Sequence, residues 1–594
     1  MLDFSDDLND EQLDAINEPN SVFLIACPGS GKTRTLTYKI AKELAVLDEK
    51  NKWVVAITYT NSAADEIKER IENLGVNTEK LWIGTIHAFC IEWILKPYSG
   101  YHEGLKYGYK VINSHESEEL LSELCANYTN PRITYFDCGY HYTSEGLKLS
   151  CASYKKADVG AVIREYHALL KANLQIDFEQ ILYFSYQLIL RYTSISKVLS
   201  QLFTHILVDE YQDTKEIQYT IFGNILNKGN GGVNVFIVGD PNQAIYTSLG
   251  GYAIPVADLR SLTNLTIVEK SLTKNYRSSS RIIDFFSHYR VFNSVITAAG
   301  DDQYYPSEIY YSNDTALDSL AEVIGGKVKY FKEECGISQN EICIVAPWWI
   351  HLASMTRKLT TLFPEYKFNG PGLTPFSRDI DNFWYKVAKL ILTEPSPQLY
   401  VRRVRWAKEI IDELHSVGVS TEITYRRILR NINVIKSSLM EQDGLTYLKY
   451  FFSALFSSID IKFQLYPALS EHYQAFFESS EKRIEKIIKE NVTYDGSADT
   501  FKKVFMPKSG ITVSTIHGVK GTEFDAVIGY GLLEGFVPNF NEPSTENANK
   551  LIYVLSSRAK KHLCLISENN RIDRYTRQPR PPTIVLNSHS FNYN

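Results

Sequence analysis

Hydrophobic and polar positions come in alternating blocks along this chain. Residues 21–47 form a short apolar run, a Gly-rich turn and an amphipathic helical pattern, and residues 52–74 form another apolar run followed by a helical pattern. Such alternation predicts an α/β fold with a parallel, doubly wound sheet, whose ligands bind at the carboxyl ends of the strands. Apolar runs that end in turns recur further along the chain, at 204–214, 235–243, 341–349, 511–521, 525–535 and 562–568. We therefore predict two sheets.

The stretches between these runs have mostly helical patterning, and they read as insertions into two α/β domains. At 594 residues the chain is longer than one hydrophobic core usually organises. The predicted domains are a first α/β domain (1–95 and 196–274), its helical insertion (96–195), a second α/β domain (275–395 and 508–585) and its reduced helical insertion (396–507).

Composition excludes several classes of protein. The chain is 44% hydrophobic and 22% charged, and no run approaches the ~18 apolar residues of a membrane helix, so we expect no membrane association. The acidic, polar beginning differs from a secretory signal, which favours a cytoplasmic location. Eight cysteines without a C-x-x-C pair argue against a zinc or disulfide framework. The net charge of −6 argues against a uniformly basic surface, but it leaves room for a local basic groove.

A phosphate-binding pattern follows the first apolar run. In ACPGSGKT, the backbone N–H groups of a Gly-rich turn and the N-terminus of the next helix would face phosphates, with Lys32 at the β and γ phosphates and Thr33 at Mg²⁺. Ala26 replaces the first glycine of the strict pattern, so a chance Gly-rich turn is the alternative. The predicted nucleotide-binding residues of this segment are Ala26, Cys27, Pro28, Gly29, Ser30, Gly31, Lys32, Thr33 and Arg34.

Two adjacent acids follow a second apolar run, in ILVDEYQDT. Asp209 and Glu210 would emerge at the carboxyl end of a central strand, where a buried charge is costly unless a cation or water uses it. We predict that Asp209 holds Mg²⁺ and that Glu210 polarises the attacking water. The alternative is an exposed acidic turn.

With these motifs in place, residues 8–568 resemble the superfamily 1A DNA helicases typified by UvrD, Rep and PcrA. The segments that carry the resemblance are LNDEQLDAI, TYTNSAADEIKERI, GTIHAFC, VGDPNQAIY, LTKNYRSSS, STIHGVKGTEFDAV and LIYVLSSRAKKHL. The resemblance implies two RecA-like P-loop motor domains with insertions (a 1A/1B/2A/2B architecture), ATP and Mg²⁺ as cofactors, and 3′ to 5′ movement on single-stranded or tailed DNA.

The resemblance also implies roles for residues around the nucleotide. Gln12 would read adenine and Tyr276 would stack on it. Gln243 and Arg277 would reach the γ-phosphate, and Arg558 would be the arginine finger, giving the catalytic set Lys32, Asp209, Glu210, Gln243, Arg277 and Arg558. Gly521 and Glu523 would lie on the nucleotide side of a coupling segment. For each arginine, a surface salt bridge is the alternative.

A second set of residues is implied to contact DNA. It consists of Tyr59, Thr60, Asn61, Thr85, His87, Tyr246 and His517. The family usually continues after the aromatic at 246 with a large aromatic and an arginine that bind the single strand, whereas this chain has Ser248 and Leu249. Stacking is worth ~1–3 kcal/mol per base, so this departure weakens the expected grip on DNA and leaves ATP hydrolysis intact.

The reduced insertion 396–507 contains basic residues interleaved with aromatics. They are Tyr400, Arg402, Arg403, Arg405, Trp406, Tyr425, Arg426, Arg427 and Arg430. Such a surface suits DNA or a protein partner, and a solvated basic helix face is the alternative.

Two functions from different classes remain open at this point. One is an ATP- and Mg²⁺-dependent UvrD-like helicase or translocase in DNA processing or repair. The other is a DNA-sensing regulatory ATPase that switches a partner nuclease, as in Gabija-type anti-phage defence systems, where compact UvrD-like proteins occur. The helicase or translocase is the main hypothesis, and Ser248, Leu249 and the shortened insertion fit the second function. The sequence itself shows no nuclease motif.

Overall fold

The fold is described from a computed structural model of the chain. The structure describes residues 6–112, 114–371, 382–396, 399–420, 422–438, 442–489, 496–505, 509–539, 543–573 and 576–594. The chain divides into two compact units. Unit 1 comprises residues 1–112, 116–315 and 516–594, and unit 2 comprises residues 113–115 and 316–515.

The first part of unit 1 alternates strands and helices as the sequence predicts. Its elements as far as the second motif are α1 (Asp10–Asn17), β1 (Ser21–Ala26), α2 (Lys32–Val46), β2 (Trp53–Thr58), α3 (Asn61–Asn73), β3 (Leu81–Thr85), α4 (Ile86–Phe89) and α5 (Lys96–Tyr98). The insertion follows with β4 (Lys110–Val111), α6 (Ser114–Cys125), β5 (Tyr140–Thr143), β6 (Gly146–Leu149), α7 (Lys156–Ala172), β7 (Gln175–Ile176), α8 (Phe178–Arg191) and α9 (Thr193–Leu202). The remaining elements before residue 316 are β8 (Phe203–Val208), α10 (Glu216–Lys228), β9 (Asn234–Gly239), α11 (Val256–Thr263), β10 (Ile267–Leu272), β11 (Lys274–Asn275), α12 (Ser280–Ser287), β12 (Thr297–Ala298) and β13 (Ile309–Ser312).

Six strands form the first sheet, in the order β10-β1-β9-β8-β2-β3, and every adjacent pair is parallel. Strand β1 shows why its apolar run is continuous. Phe23 packs into a core on one face, while Val22 and Leu24 pack into a separate core on the other. A sheet that is covered on both faces needs apolar residues at every position. The predicted parallel α/β sheet is confirmed, and the carboxyl ends of β1, β8 and β9 lie at one edge.

The last part of unit 1 contributes β17 (Phe524–Tyr530), α21 (Thr545–Ser556), β18 (Ala559–Ile566) and α22 (Ile584–Asn587). In unit 1, strand β18 pairs in parallel with both β13 and β17. Strand β18 therefore places the segment before it, which ends in Arg558, beside the start of β17.

Unit 2 contains three parallel strands and a group of helices. Its elements are α13 (Leu320–Glu333), β14 (Ile342–Ala346), α14 (Trp349–Leu362), β15 (Phe368–Asn369), α15 (Phe383–Leu392), α16 (Tyr400–Ser416), α17 (Tyr425–Ser438), α18 (Gly444–Ser458), α19 (Pro467–Lys489), α20 (Ala498–Lys503) and β16 (Ile511–Thr515). Strand β16 pairs with β14 and β15. Helices α15–α20 enclose an aromatic-rich core around Trp384.

The first insertion, by contrast, is not purely helical. Strands β5 and β6 form an antiparallel hairpin between α6 and α7. Tyr142 of the hairpin stacks on Tyr183 of α8 with ring centroids 4.0 Å apart, and the Tyr140 hydroxyl donates to Asp177. The hairpin is therefore fixed to the insertion helices. Among the described helices of both units, none is long and apolar enough to cross a membrane.

Candidate functional site

The loop between β1 and α2 is held in a narrow turn. Gly29 and Gly31 have φ values of +68° and +82°, the left-handed region that favours glycine. A Cβ atom at Gly31 would lie 2.6 Å from Nε2 of Gln12, and one at Gly29 would lie 2.6 Å from Cβ of Arg277. Both the N–H and the hydroxyl of Ser30 donate to the Cys27 carbonyl. The first N–H groups of α2 have no partner within the helix, so this loop and helix fit a phosphate chain.

Neighbouring side chains brace the loop from outside. Gln12 is buried, donates from Nε2 to the Ser30 carbonyl at 3.0 Å and accepts at Oε1 from the backbone of Asn9. Asn275 donates to the Pro28 carbonyl at 2.7 Å. The backbone N–H of Tyr276 donates to Gly29, and its half-exposed ring leaves the hydroxyl 2.8 Å from Nδ2 of Asn9. Gln12 and Tyr276 thus lie beside the loop, as predicted, and both ends of the Gln12 amide already have protein partners.

The two predicted acids lie directly after β8. Both are largely buried, and Glu210 adopts a left-handed backbone conformation with φ +50°, a strained state for a residue with a side chain. Its N–H donates to Oδ1 of Asp209 at 3.0 Å, and the Gln212 amide donates to its carboxylate. Burial and the nearby charge of Glu210 raise the pKa of Asp209. For Glu210 burial acts in the same direction, but Lys32 and Lys520 outweigh it and lower the pKa.

These acids fit a hard cation. Burial also raises the pKa of Asp240, so several carboxylates here lack the solvation that their charged forms need. Among the described residues, no cluster of three or more His, Cys, Asp and Glu side chains forms a metal site. A Mg²⁺ ion bound by one carboxylate, a hydroxyl and substrate phosphates does not require such a cluster. Asp209 and Thr33, the second residue of α2, match that donor set.

A chain of hydrogen bonds connects the carboxyl end of β9 with the segment before β18. Gln243 donates to Asp240 at 2.8 Å and accepts from Nη2 of Arg558 at 3.1 Å. Arg558 is 2% exposed and also donates to the carbonyls of Val554 and Thr522. Burial and the charge of Arg277 lower the pKa of Arg558 to about 9. Arg558 is therefore buried and hydrogen-bonded, so the alternative of a surface salt bridge does not hold for it.

Arg277 is the second predicted arginine near the loop. Its Nε donates to Glu523 at 2.6 Å and its Nη1 donates to the Ser557 carbonyl at 3.0 Å. Arg277 therefore lies between Gly29 and the residue next to Arg558. Gly521 has φ +85°, with open space around it, and Arg34 lies at the surface near Tyr38 and Asp7.

Sequence reasoning missed an ion pair between Lys520 and Asp213. Nζ of Lys520 lies 2.7 Å from both carboxylate oxygens of Asp213 and 2.7 Å from the Gln243 carbonyl. The two side chains are 9% and 2% exposed. Burial raises the pKa of Asp213 to about 6, although Lys520 opposes the shift. Both residues lie within motifs quoted above. The presence of an acidic residue in one motif and a basic residue in the other was the signal from which this ion pair could have been suspected.

Most of the predicted DNA-contacting residues line or border one cavity of about 910 Å³ in unit 1. Tyr59, Thr85, His87 and Tyr246 line it. Tyr59 and Tyr246 stack with ring centroids 5.2 Å apart, and His517 packs against Tyr246 while its Nε2 contacts the Ile245 carbonyl.

The remaining predicted DNA residues lie at the beginning of α3. Thr60 caps the helix by accepting from the N–H of Ala63, and Asn61, its first residue, is exposed. Neither side chain lines the cavity. The structure thus brings the predicted aromatic and histidine residues together at the cavity, whereas Thr60 and Asn61 lie outside its lining.

Ser248 and Leu249, which differ from the residues usual in the family, line the same cavity and lie against the β5–β6 hairpin. Leu249 is 57% exposed. The hydroxyl of Ser150, just after β6, donates to the Ser248 carbonyl at 3.3 Å. At Gly250 (φ +90°) a Cβ would lie 2.9 Å from the His141 ring. The hairpin of this chain therefore contacts the segment in which the family usually has a large aromatic and an arginine.

Comparison with known proteins agrees with this arrangement. Residues 8–252 match the UvrD/REP helicase N-terminal domain, and residues 420–570 match the UvrD-like helicase C-terminal domain. An ATP-dependent DNA helicase PcrA of Bacillus subtilis is 24% identical over 95% of this chain and 83% of its own length. A probable DNA helicase II homolog of Mycoplasma capricolum is 24% identical over 94% of this chain and 84% of its own.

A further relative is more similar over a shorter stretch. An ATP-dependent DNA helicase PcrA of Staphylococcus aureus is 30% identical over 47% of this chain and 39% of its own length. The two domain matches together cover most of the chain and include the phosphate loop, the acid pair and Arg558. The two RecA-like domains predicted from the sequence are thus confirmed, and the protein belongs to the UvrD/Rep/PcrA-like family of superfamily 1A DNA helicases.

Proposed function

We propose that this protein is an ATP- and Mg²⁺-dependent helicase or translocase that moves 3′ to 5′ on single-stranded or tailed DNA. The observation that carries the proposal is the hydrogen bond from Arg558 to Gln243. It joins two segments that are 315 residues apart and lie on either side of the phosphate loop in the predicted motor arrangement. An arginine at this point reaches a γ-phosphate only if the segments around it close on the nucleotide.

The loop residues would bind the triphosphate of ATP. Backbone N–H groups of residues 31–33 would donate to phosphate oxygens, and Lys32 would neutralise the β and γ phosphates. The half-exposed Tyr276 ring supports stacking on the adenine base, since it lies next to the loop at Gly29. Gln12 would read the adenine edge after releasing one of its two present partners.

Mg²⁺, when bound, would neutralise charge on the phosphate oxygens and orient the γ-phosphoryl group. Asp209 and Thr33 would hold it. Glu210 would orient the attacking water and take its proton, as water oxygen bonds to the γ-phosphorus and the bond to the ADP oxygen breaks. Arg277 and Arg558 would stabilise the negative charge that develops on the γ-phosphoryl oxygens.

The contacts of Gln243 support coupling between nucleotide and DNA. Its side chain accepts from Arg558, and its carbonyl accepts from Lys520. Lys520 lies near the Tyr246 ring at 5.3 Å, and Tyr246 stacks on Tyr59 in the cavity. A change in the position of Arg558 during the ATP cycle would therefore shift residues that border the proposed DNA path.

The decisive experiment measures steady-state ATP hydrolysis without DNA and with single strands, blunt duplex, 3′-tailed and 5′-tailed duplex, using Glu210→Gln as the blank. Strong stimulation by single strands, with displacement of a strand from the 3′-tailed duplex, is the expected result. Displacement from the 5′-tailed substrate alone would reverse the proposed polarity. Absence of hydrolysis above the blank in all conditions would refute the ATPase itself.

A second candidate function rests on the hairpin contact at Ser248. Because Ser248 and Leu249 replace strand-gripping residues and the segment contacts the insertion, ATP turnover could serve to switch a partner nuclease with little unwinding, as in a defence complex. Weak DNA stimulation together with stable co-purification of a nuclease would favour this function. Recovery of unwinding in the variant S248W/L249R would favour the motor instead. For either function we propose a cytoplasmic location and the four domains as bounded from the sequence.

A further inference from the structure

Two cysteines of the first insertion lie close enough to react with each other. Sγ of Cys125, the last residue of α6, lies 3.4 Å from Sγ of Cys138, two residues before β5. A disulfide bond joins sulfurs ~2.05 Å apart, so these two need to approach by about 1.4 Å. All eight cysteines of the chain are free. The protein therefore has no permanent disulfide framework, but it has one pair of thiols placed to form a bond.

The local structure keeps the two sulfurs side by side. Cys125 and Cys138 are 4% and 3% exposed and belong to the same apolar core of the insertion. Cys138 ends a one-turn helix whose start is capped by Thr134, and Asp137 accepts from both the N–H and the hydroxyl of Thr134. Asp137 also pairs with Lys155 at 2.7 Å. These contacts anchor the backbone next to Cys138 and hold its sulfur beside the end of α6.

The two thiols differ in their chemistry. Burial raises the pKa of both. The S–H of Cys138 donates to the Cys125 sulfur and opposes the rise of the Cys125 pKa, whereas the same contact and the charge of Asp137 raise the pKa of Cys138 further. Cys125 is therefore the thiol that loses its proton first. Since the thiolate is the reactive form of cysteine, Cys125 is the nucleophile of the pair and Cys138 is its partner.

We propose that Cys125 and Cys138 form a reversible disulfide when the protein meets hydrogen peroxide, and that this bond fastens the base of the β5–β6 hairpin to α6. The Cys125 thiolate would attack one peroxide oxygen and break the O–O bond, which gives a sulfenic acid and, after proton uptake, water. The Cys138 sulfur would then attack the sulfenic sulfur, and the S–S bond would form as the hydroxyl group leaves with the Cys138 proton as a second water. One peroxide thus takes two electrons from the two thiols.

The alternative is a pair that only packs, because buried cysteines often behave as small apolar residues. The proposal differs from it by requiring a bond that forms in the folded protein and that a dithiol reverses by exchange. In a reducing compartment such a bond is transient, so both thiols would normally be present. The inference does not depend on the proposed ATPase or DNA function.

The position of the pair gives the bond a structural effect. The residue after Cys138 is Gly139, whose carbonyl accepts from the N–H of Ser150 at 2.8 Å and closes the open end of the hairpin. The Ser150 hydroxyl donates to the Ser248 carbonyl. A covalent bond from Cys138 to α6 would therefore restrict opening of the hairpin at the end that contacts Ser248. Such a constraint lowers the population of locally opened states.

The first test detects the bond in the unaltered protein. The folded protein is treated with hydrogen peroxide in the presence of a chelator, remaining thiols are alkylated, and tryptic peptides are analysed by mass spectrometry without reduction. Trypsin releases residues 111–132, 133–148 and 149–155 as separate peptides, each with one cysteine of the insertion. We expect the first two peptides to be cross-linked and to separate after dithiothreitol. Free thiols in both, or a link from either to 149–155 instead, would overturn the proposal.

Controls distinguish a pair selected by the fold from general thiol reactivity. Cys125→Ser and Cys138→Ser should each abolish the cross-link. The matched control is Cys151→Ser, which removes the partly exposed cysteine of the same insertion and should retain the cross-link. Peroxide treatment in guanidinium chloride should give mixed links, because the unfolded chain no longer favours one partner. The same mixture of links in the folded protein would refute selection by the fold, and this comparison needs no variant.

Hydrogen exchange measures the effect on the hairpin. Backbone amides of residues 139–150 should exchange at least about tenfold more slowly in the oxidised protein than in the reduced one, and dithiothreitol should restore the faster rate. Peroxide-treated Cys125→Ser should show no such change, which excludes oxidation elsewhere as the cause. Unchanged or faster exchange in protein that carries the cross-link would overturn the fastening of the hairpin.

Discussion

Lys520→Met should destabilise unit 1 in a pH-dependent way. The lysine is the cation beside Asp213, whose carboxylate is 2% exposed, and its two contacts to that group are 2.7 Å long. Without the lysine, the charged carboxylate would be buried with no cation partner in this pair. Removal of one member of a buried pair commonly costs ~3–5 kcal/mol. Here the loss of stability is smaller than that, because Asp213 can take up a proton and so avoid being charged without a partner.

The size of this loss of stability follows from the pKa of Asp213, which burial raises to about 6 even with Lys520 present. At pH 8 the variant avoids the buried charge by protonating Asp213, and this costs about two pH units relative to the unaltered protein. At ~1.36 kcal/mol per unit, this contribution is about 3 kcal/mol at pH 8 and well under 1 kcal/mol at pH 6. The folded-state pKa of Asp213 lies above its ordinary value of 3.8 and rises further in the variant. The variant therefore gains stability relative to the unaltered protein as the pH falls from 8 to 6.

The assay is chemical denaturation at pH 6 and pH 8. The double variant D213N/K520M should be less destabilised than Lys520→Met at pH 8, since it carries no buried charge. Lys561→Met is the matched control, because Lys561 contacts Asp525 at 3.1 Å near the surface and its loss should cost less than about 1 kcal/mol at either pH. An equal loss at pH 6 and pH 8 in Lys520→Met, or a double variant no more stable than the single one, would refute the reasoning.

Three further predictions concern the site. ATP hydrolysis should fall at least tenfold in each of the variants Lys32→Ala, Glu210→Gln and Arg558→Ala, measured at saturating ATP, and near-normal turnover in any one contradicts its assigned role. Gly31→Ala should raise the KM for ATP about tenfold, because its Cβ would lie 2.6 Å from the Gln12 amide. The control Gly75→Ala has a similar φ of +76° in open space and should bind ATP normally. Tyr246→Ala should raise the DNA concentration for half-maximal stimulation by about fivefold to a hundredfold, with unchanged hydrolysis in the absence of DNA.

The parts of the site that the sequence predicted are those in which neighbouring residues act together. The phosphate loop is set by a strand, two glycines and a helix start within residues 21–33. The acids follow β8 directly, and the continuous apolar pattern of β1 already required a sheet covered on both faces. Short-range backbone geometry decides these features, so a local pattern is sufficient to find them.

The parts that the sequence did not predict depend on contacts between distant segments. The pairing of Lys520 with Asp213 spans 307 residues, and nothing in either motif alone indicates its partner. The hairpin of β5 and β6 interrupts an insertion whose overall pattern is helical. Its short strands are held by aromatic contacts such as Tyr142 on Tyr183, which periodicity does not reveal.

These long-range contacts make Gln243 the junction of the site. Its side chain contacts Asp240 and Arg558, which face the proposed nucleotide, while its carbonyl contacts Lys520 on the way to Tyr246. Both contacts belong to one residue of one short turn, so a displacement of that turn by Arg558 would carry both. Displacement of Arg558 towards a phosphate would therefore alter the position of Lys520 and the ring stacked beneath it. The Tyr246 ring lines a cavity that the insertion hairpin helps to form. The hairpin, and not only the two motor domains, would therefore take part in the response to ATP.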